Sequence, residues 1–171
     1  MNLQTLVPTP PRYGSGVPAL SVPSVAMRKR RILVADDDEG IRCLLSVALT
    51  LAGYDVNLAS DGEQAWDTLS HDHYDLLITD NEMPRLTGLK LVERLRERGL
   101  RLPVIIVSGS LSAASARESP QLRISAVFSK PFTIPELMKT VRSVLLSSDA
   151  DARRDCLTTS PQLQASVQPV R

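Results

Sequence analysis

Ile32-Leu33-Val34-Ala35-Asp36-Asp37-Asp38-Glu39 is a wholly apolar run that turns abruptly acidic. A short run of this kind, with no alternation, is what a strand buried on both faces looks like, and such strands belong to parallel sheets covered by helices. The figure recurs along the chain. Leu76-Leu77-Ile78-Thr79 runs into Asp80, Val104-Ile105-Ile106-Val107 into Ser108-Gly109, and the shorter Ala126-Val127-Phe128 leads to Lys130-Pro131. Val56 and Leu58 alternate with polar neighbours, as an outer strand would.

Helical spacing fills the intervals. Ile41, Leu44, Leu45, Ala48, Leu49 and Ala52 share one face of a helix, with Gly53 placed to end it. Ser60-Asp61-Gly62-Glu63 reads as a capping box ahead of Ala65, Trp66 and Leu69. Leu89, Val92 and Leu95 mark a third helix ending near Gly99. Residues 112–119 are weakly helical, Ser/Ala-rich and stopped by Pro120. Thr133-Ile134-Pro135-Glu136 opens a last helix carrying Leu137, Met138, Val141, Val144 and Leu145. Strand–helix alternation implies parallel pairing with right-handed crossovers. The expected fold is α/β: a doubly wound, five-stranded parallel sheet flanked by five helices in three layers. Such sheets hold their sites at the C-terminal ends of the strands.

Composition bounds the function. The 171 residues carry 20 Lys+Arg and 19 Asp+Glu, for a net charge of +1, so the chain as a whole lacks the basic balance of a nucleic-acid binder. Aromatic residues are only 4%, too few for a base-stacking platform. Cys43 and Cys156 have no metal-ligand spacing and fit a reducing compartment. No apolar run approaches the ~20 residues that span a membrane, and a cytoplasmic location is expected. Residues 1–27 hold one charge and five of the 12 prolines and read as a disordered extension. Met27 is either the true start of translation or the end of a flexible targeting or docking arm. Residues 28–147 form the folded domain, and residues 148–171 read as a disordered polar tail without an output module. His71 and His73 read as solvated loop residues.

The fold converges the strand ends, so Asp36, Asp37, Asp80, Ser108, Gly109 and Lys130 meet at one edge. Two unit charges at ~4 Å repel by about 4 kcal/mol at an effective dielectric near 20. Gathered carboxylates therefore call for a counter-charge or a proton. A hard divalent cation with oxygen ligands, Mg²⁺, removes that cost and commonly works with phosphate. Lys130 supplies a fixed positive charge, Ser108 a hydroxyl donor, and Gly109 room for an arriving group. The set suits an aspartate that accepts a phosphoryl group.

The stretches ILVADDDEGIR, LLITDNEMP, VIIVSGS and VFSKPF, in this order, closely resemble the response regulator receiver domain, the CheY-like branch of the flavodoxin-like fold. The resemblance spans about residues 29–147. It implies a single-domain response regulator of a two-component system or phosphorelay, a signalling phosphoprotein and not an enzyme on other substrates. It implies an aspartyl phosphate on Asp80, received from a histidine kinase or histidine phosphotransfer protein. Asp37 would bind Mg²⁺ directly, Asp36 would assist largely through water, and the Glu82 backbone carbonyl would complete the protein ligands with Asp80. Ser108, Gly109 and Lys130 would contact the phosphoryl group, Glu82 and Ser110 would tune its lifetime, and Pro131 would follow a cis peptide. Output would pass to a downstream protein through the face of the fourth helix, fifth strand and fifth helix, without direct DNA binding or membrane attachment.

Three features depart from the family pattern. The switch aromatic three residues before the lysine is replaced by Val127, while Phe128 faces the other way by strand alternation. Arg123-Ile124 stand where a glycine-alanine pair is usual. The fourth helix is short and Ser-rich. Two other readings compete. A haloacid-dehalogenase-type phosphatase would use Asp36 as nucleophile and Asp38 as acid/base, with Ser108 and Lys130 as its later motifs. Its further acidic pair would have to be Asp149 and Asp151, in the tail, and Asp80 would be unexplained. A non-phosphorylated receiver scaffold would have no need of the intact Asp36, Asp37, Asp80, Ser108 and Lys130.

Overall fold

Each apolar run becomes a strand at the centre of the computed structural model, which describes residues 28–109 and 119–158, with side chains described as far as residue 150. In chain order the elements are β1 (Arg31–Ala35), α1 (Glu39–Leu51), β2 (Asp55–Ala59), α2 (Gly62–His71), β3 (Leu76–Asp80), α3 (Gly88–Glu97), β4 (Val104–Ser108), a 3₁₀ turn (Pro120–Leu122), β5 (Ala126–Ser129) and α4 (Ile134–Thr158). The five strands form one sheet in the order β2-β1-β3-β4-β5, and every neighbouring pair is parallel.

All five residues of β3 and of β4 are buried. This is why their sequences show no polar alternation: each face of the sheet is covered. On one face Leu33, Leu77 and Ile106 pack with Ala65 and Leu69 of α2 and Leu91, Val92 and Leu95 of α3. On the other, Ile32, Val34, Ile78 and Ile105 pack with Leu45 and Leu49 of α1 and Leu137, Val141 and Leu145 of α4. Each such aliphatic side chain, fully buried, contributes about 1.5–3 kcal/mol of transfer free energy. β2 is the edge, and Leu58 on it stays 41% exposed.

The helix signals are largely as the sequence reads, with one register shift. Asp61, not Ser60, is the N-cap of α2 and accepts the Gln64 N–H at 2.9 Å; Gln64 Oε1 in turn accepts the Ser60 N–H. Thr133 Oγ1 accepts the Glu136 N–H at 3.4 Å, the N-cap half of the expected box at α4, and Glu136 Oε2 accepts from the Thr133 hydroxyl at 2.7 Å. Gly53 follows α1 at φ +92°, a left-handed conformation that suits glycine.

One expectation at the end of an element needs correction. The last helix runs to Thr158, past residue 147 where the folded domain was expected to stop. Ser-Ser-Asp-Ala-Asp-Ala-Arg-Arg contains no helix breaker, and the first proline beyond is Pro161, so polarity alone does not end the helix. Four α-helices stand among the described residues against the five expected. Nearly all of the fourth expected helix, over 112–119, lies outside the described residues, as do residues 1–27 and 159–171. No helix of the described residues is long and apolar enough to cross a membrane.

Candidate phosphoryl-acceptor site

From the first strand the chain goes to β2 on one side and then returns to β3 on the other. This reversal leaves a crevice between the C-terminal ends of β1 and β3, where open α/β sheets bind ligands. Asp36 leaves β1 and Asp80 ends β3, so the crevice is flanked by carboxylates. Asp36 and Asp80 are 2% and 3% exposed, while Asp37 is exposed. Carboxylate oxygens of Asp36, Asp37 and Asp80 all lie within 4.8 Å of one another.

Among the described residues, Lys130 is the cation paired with this cluster. Lys130 Nζ donates to Asp80 Oδ2 at 2.8 Å and to Asp36 Oδ2 at 3.2 Å. Its position is fixed from β5, because the Lys130 backbone N–H donates to the Ser108 carbonyl at 2.8 Å. The Lys130–Pro131 peptide is cis. Burial pushes the Asp36 carboxyl up, and the neighbouring Asp80 charge adds to this; the Asp38 backbone N–H and Lys130 oppose without reversing it. Burial works against the Lys130 ammonium, but its bonds to Asp80 and Asp36 win and hold its pKa above the ordinary lysine value.

The remaining aspartate bonds are local. Asp36 Oδ1 accepts the Asp38 N–H at 2.9 Å, and Asp80 Oδ1 accepts the Glu82 N–H at 3.2 Å. Arg42 Nη1 braces the loop by donating to the Asp36 carbonyl at 2.7 Å. Gly88 permits the β3–α3 turn: a Cβ there would sit 2.2 Å from the Asp80 carbonyl oxygen. Two carboxylates buried beside a single lysine, with a third at hand, form an oxygen-rich and under-neutralised cluster. Its donor set fits a hard divalent cation such as Mg²⁺.

The structure brings Asp36, Asp37, Asp80 and Lys130 together, and it adds one unforeseen contact. Ser108, fully buried at the end of β4, donates its Oγ–H to Glu82 Oε1 at 2.8 Å, and the Gly109 N–H donates to Glu82 Oε2 at 3.0 Å. Sequence reading marks Glu82 for its backbone carbonyl and as a tuning position, and misses that its carboxylate bridges the two donors. No sequence pattern announces a bridge between residues 26 positions apart. Ser110 lies outside the described residues. Asp38 is the N-cap of α1, accepting the Ile41 N–H at 3.1 Å. That helix-capping role leaves it ill placed as an acid/base. Val127 and Phe128 point to opposite faces, Val127 to the α2–α3 side and Phe128 to the α1–α4 side, where it meets Phe132 edge-on. His71 and His73 are exposed.

Comparison with known proteins gives a consistent picture. A model of the response regulator receiver domain matches residues 32–142. The response regulator MprA of Mycolicibacterium vanbaalenii is 35% identical over 121 residues, 71% of this chain and 52% of that protein. The sensor protein EvgS of Escherichia coli is 38% identical over 123 residues, 72% of this chain and 10% of that protein. The chain thus spans about half the length of MprA and a tenth of EvgS. Among solved structures, the receiver domain of Francisella response regulator 1452 superposes with a TM-score of 0.66 at 31% identity, over 70% of this chain and 99% of that one. CheY4 of Vibrio cholerae superposes at 0.63 with 29% identity, over 68% and 98%.

Proposed function

The chain belongs to the response regulator receiver domain family, and from that premise we propose that it accepts a phosphoryl group on Asp80 from the phosphohistidine of a histidine kinase or phosphotransfer protein. The observation that carries the reading is the Asp80 carboxylate itself. It is buried at a strand end, bonded to Lys130 at 2.8 Å and grouped with Asp36 and Asp37.

In the proposed reaction an Asp80 oxygen attacks phosphorus and forms an acyl phosphate. The P–N bond of the donor breaks, and its electron pair returns to the imidazole, which takes up a proton from solvent. Catalysis of this kind rests on positioning and charge neutralisation. Lys130 holds Asp80 in place and offsets charge on the transferred oxygens. Asp37 and Asp36, with Asp80 and the Glu82 carbonyl, would hold Mg²⁺. When bound, the cation neutralises the carboxylates and anchors a phosphoryl oxygen.

Signalling follows from a competition for hydrogen-bond donors. The Ser108 hydroxyl and Gly109 amide are engaged by the Glu82 carboxylate. An acyl phosphate on Asp80 offers a second anionic acceptor for the same donors. Their transfer from Glu82 to phosphate moves the end of β4. The equilibrium shifts only as far as phosphate binds the moved state better. A downstream protein then recognises the altered face beside β5 and α4. Val127, at the position where relatives use an aromatic switch, gives this face a coupling without a rotating ring.

The test is phosphorylation with acetyl phosphate and Mg²⁺, read by intact mass and by peptide mapping of the acyl phosphate. One phosphoryl group on Asp80, absent in Asp80→Asn, supports the reading. Labelling of Asp36 would establish the phosphatase-type alternative instead. No labelling from small donors or from a panel of phosphorylated histidine kinases would leave a binding scaffold.

A further inference from the structure

The N-terminal ends of β4 and β5, at the opposite end of the sheet from the aspartates, border a cleft of about 600 Å³. It is lined by Arg96, Arg101, Arg123, Ser125, Ser143 and Ser147, among others. Its lining is rich in arginine. Arg28 and Arg30 pair with Asp75, Arg31 with Asp55 and Asp72, Arg85 with Asp61, and Arg94 with Glu63, whereas Arg42 and Arg98 bond to a carbonyl and a hydroxyl. What sets the cleft apart is that three arginines without carboxylate partners share one recess. Among the described residues, none of the three cleft arginines has a carboxylate partner.

Arg96 is held rigidly without being neutralised. Its Nε donates to the Leu122 carbonyl at 2.7 Å, Nη1 to the Leu100 carbonyl at 2.7 Å and Nη2 to the Leu102 carbonyl at 3.0 Å. Burial, and then the charge of nearby Arg123, push its guanidinium pKa down. Arg123 itself sits at φ 47° and ψ 49°, the left-handed region that favours glycine. The chain therefore keeps an arginine where its backbone is strained and where it faces a like charge. Strain retained against local preference motivates a search for function. A bracing role accounts for Arg96 alone and leaves Arg101 and Arg123 unexplained.

The rest of the lining supplies neutral donors. Ser125 Oγ accepts the Val104 N–H at 3.3 Å, which leaves its hydroxyl proton for an outside acceptor. Guanidinium forks combined with hydroxyl donors are the chemistry that recognises phosphate. The volume falls in the roughly 300–1,000 Å³ range of small-molecule sites. We propose that this cleft binds a small phosphate-bearing anion, of about pyrophosphate to nucleotide size, through Arg96, Arg101 and Arg123.

The site needs no divalent cation and is distant from Asp80, so it can be tested independently of phosphoryl acceptance. Pyrophosphate is titrated into the ¹⁵N-labelled full chain in EDTA at constant ionic strength. Saturable amide shifts confined to residues around Arg101–Val104 and Arg123–Ala126 are expected. Arg101→Gln and Arg123→Gly should each weaken binding by about tenfold, the loss of one charged hydrogen-bonding partner. Arg123→Gly also relieves the left-handed backbone, so it should unfold no earlier than wild type. That outcome separates lost binding from lost folding. Absence of saturable shifts, unchanged affinity in the Arg101→Gln, Arg123→Gly double variant, or equal binding of citrate would each overturn the phosphate assignment.

Discussion

Ser108 Oγ donates to Glu82 Oε1 at 2.8 Å, while the Gly109 amide donates to the other oxygen of the same carboxylate at 3.0 Å. One side chain, two residues beyond Asp80, thus occupies the donors that the proposed function assigns to phosphoryl contact. It also adds a negative charge beside a site that, in the proposed reaction, would admit an anionic phosphodonor.

Glu82→Gln removes that charge and replaces one acceptor oxygen with a donor nitrogen. The bridge can then accept from only one of Ser108 and Gly109. At the separations within such a site, one charge in a protein-like dielectric alters the approach of an anion by about 1 kcal/mol. The expected result is phosphorylation by acetyl phosphate faster by about 3- to 10-fold, measured as the initial rate of mass gain. An unchanged or slower rate would show that Glu82 does not compete for these donors.

Asp37 differs from Asp36 and Asp80 in being exposed and in making no hydrogen bond among the described residues. Asp37→Asn loses no hydrogen bond and removes one like charge from the cluster, so without cation it should be at least as stable as wild type. Mg²⁺ at tenfold over its Kd should stabilise wild type by about 1.4 kcal/mol, and this gain should vanish in the variant. Thermal unfolding with and without Mg²⁺ measures both. A full Mg²⁺ response in Asp37→Asn would remove Asp37 from the ligand set.

Gly88 has no room for a methyl group. A Cβ would lie 2.2 Å from the Asp80 carbonyl oxygen and 3.1 Å from Asn81 Cα, both backbone atoms with little freedom to move. Gly88→Ala should cost about 2–3 kcal/mol in urea unfolding, as overpacking does. Because the displaced backbone is that of the acceptor residue, phosphorylation of the folded fraction should slow as well. A stability loss with an unchanged rate would separate the turn from the chemistry.

The sheet and the acidic site were legible because both rest on short-range signals. Burial on two faces makes residues 76–78 and 104–107 apolar, and the fold then brings the polar residues that end those strands, Asp80 and Ser108, to one edge. The illegible parts depend on contacts between distant segments or on weak local preference. Glu82 reaches Ser108 only once β3 and β4 are paired. The sequence over residues 147–154, SSDADARR, carries no amphipathic period, so it gives no sign that α4 continues there. Arg123 reads as an ordinary surface arginine until its φ of 47° is seen. Asp38, which the phosphatase reading takes as acid/base, turns its carboxylate back to cap α1.

The strand that delivers Asp36 is tethered at its other end by Asp75, and this tether has a defined pH dependence. Asp75 is 7% exposed and accepts the Arg31 backbone N–H at 2.8 Å, Arg28 Nη2 at 2.7 Å and Arg30 Nη1 at 2.9 Å. Burial alone would raise its pKa, but the Arg31 N–H and the two guanidinium groups prevail and hold it below the ordinary 3.8. The native state therefore binds this proton less readily than the unfolded chain. The ion's stabilisation is complete above the unfolded value and is lost as pH falls through the lower native one. Asp75→Asn keeps the shape but turns a donor nitrogen toward a guanidinium, at a cost of about 1–3 kcal/mol near neutrality. In urea unfolding across pH, the gap between wild type and Asp75→Asn should stay level down to about pH 5. It should begin to narrow near 3.8 and close below it. A gap that persists unchanged into strong acid would mean that packing, and not the charge on Asp75, anchors the start of β1.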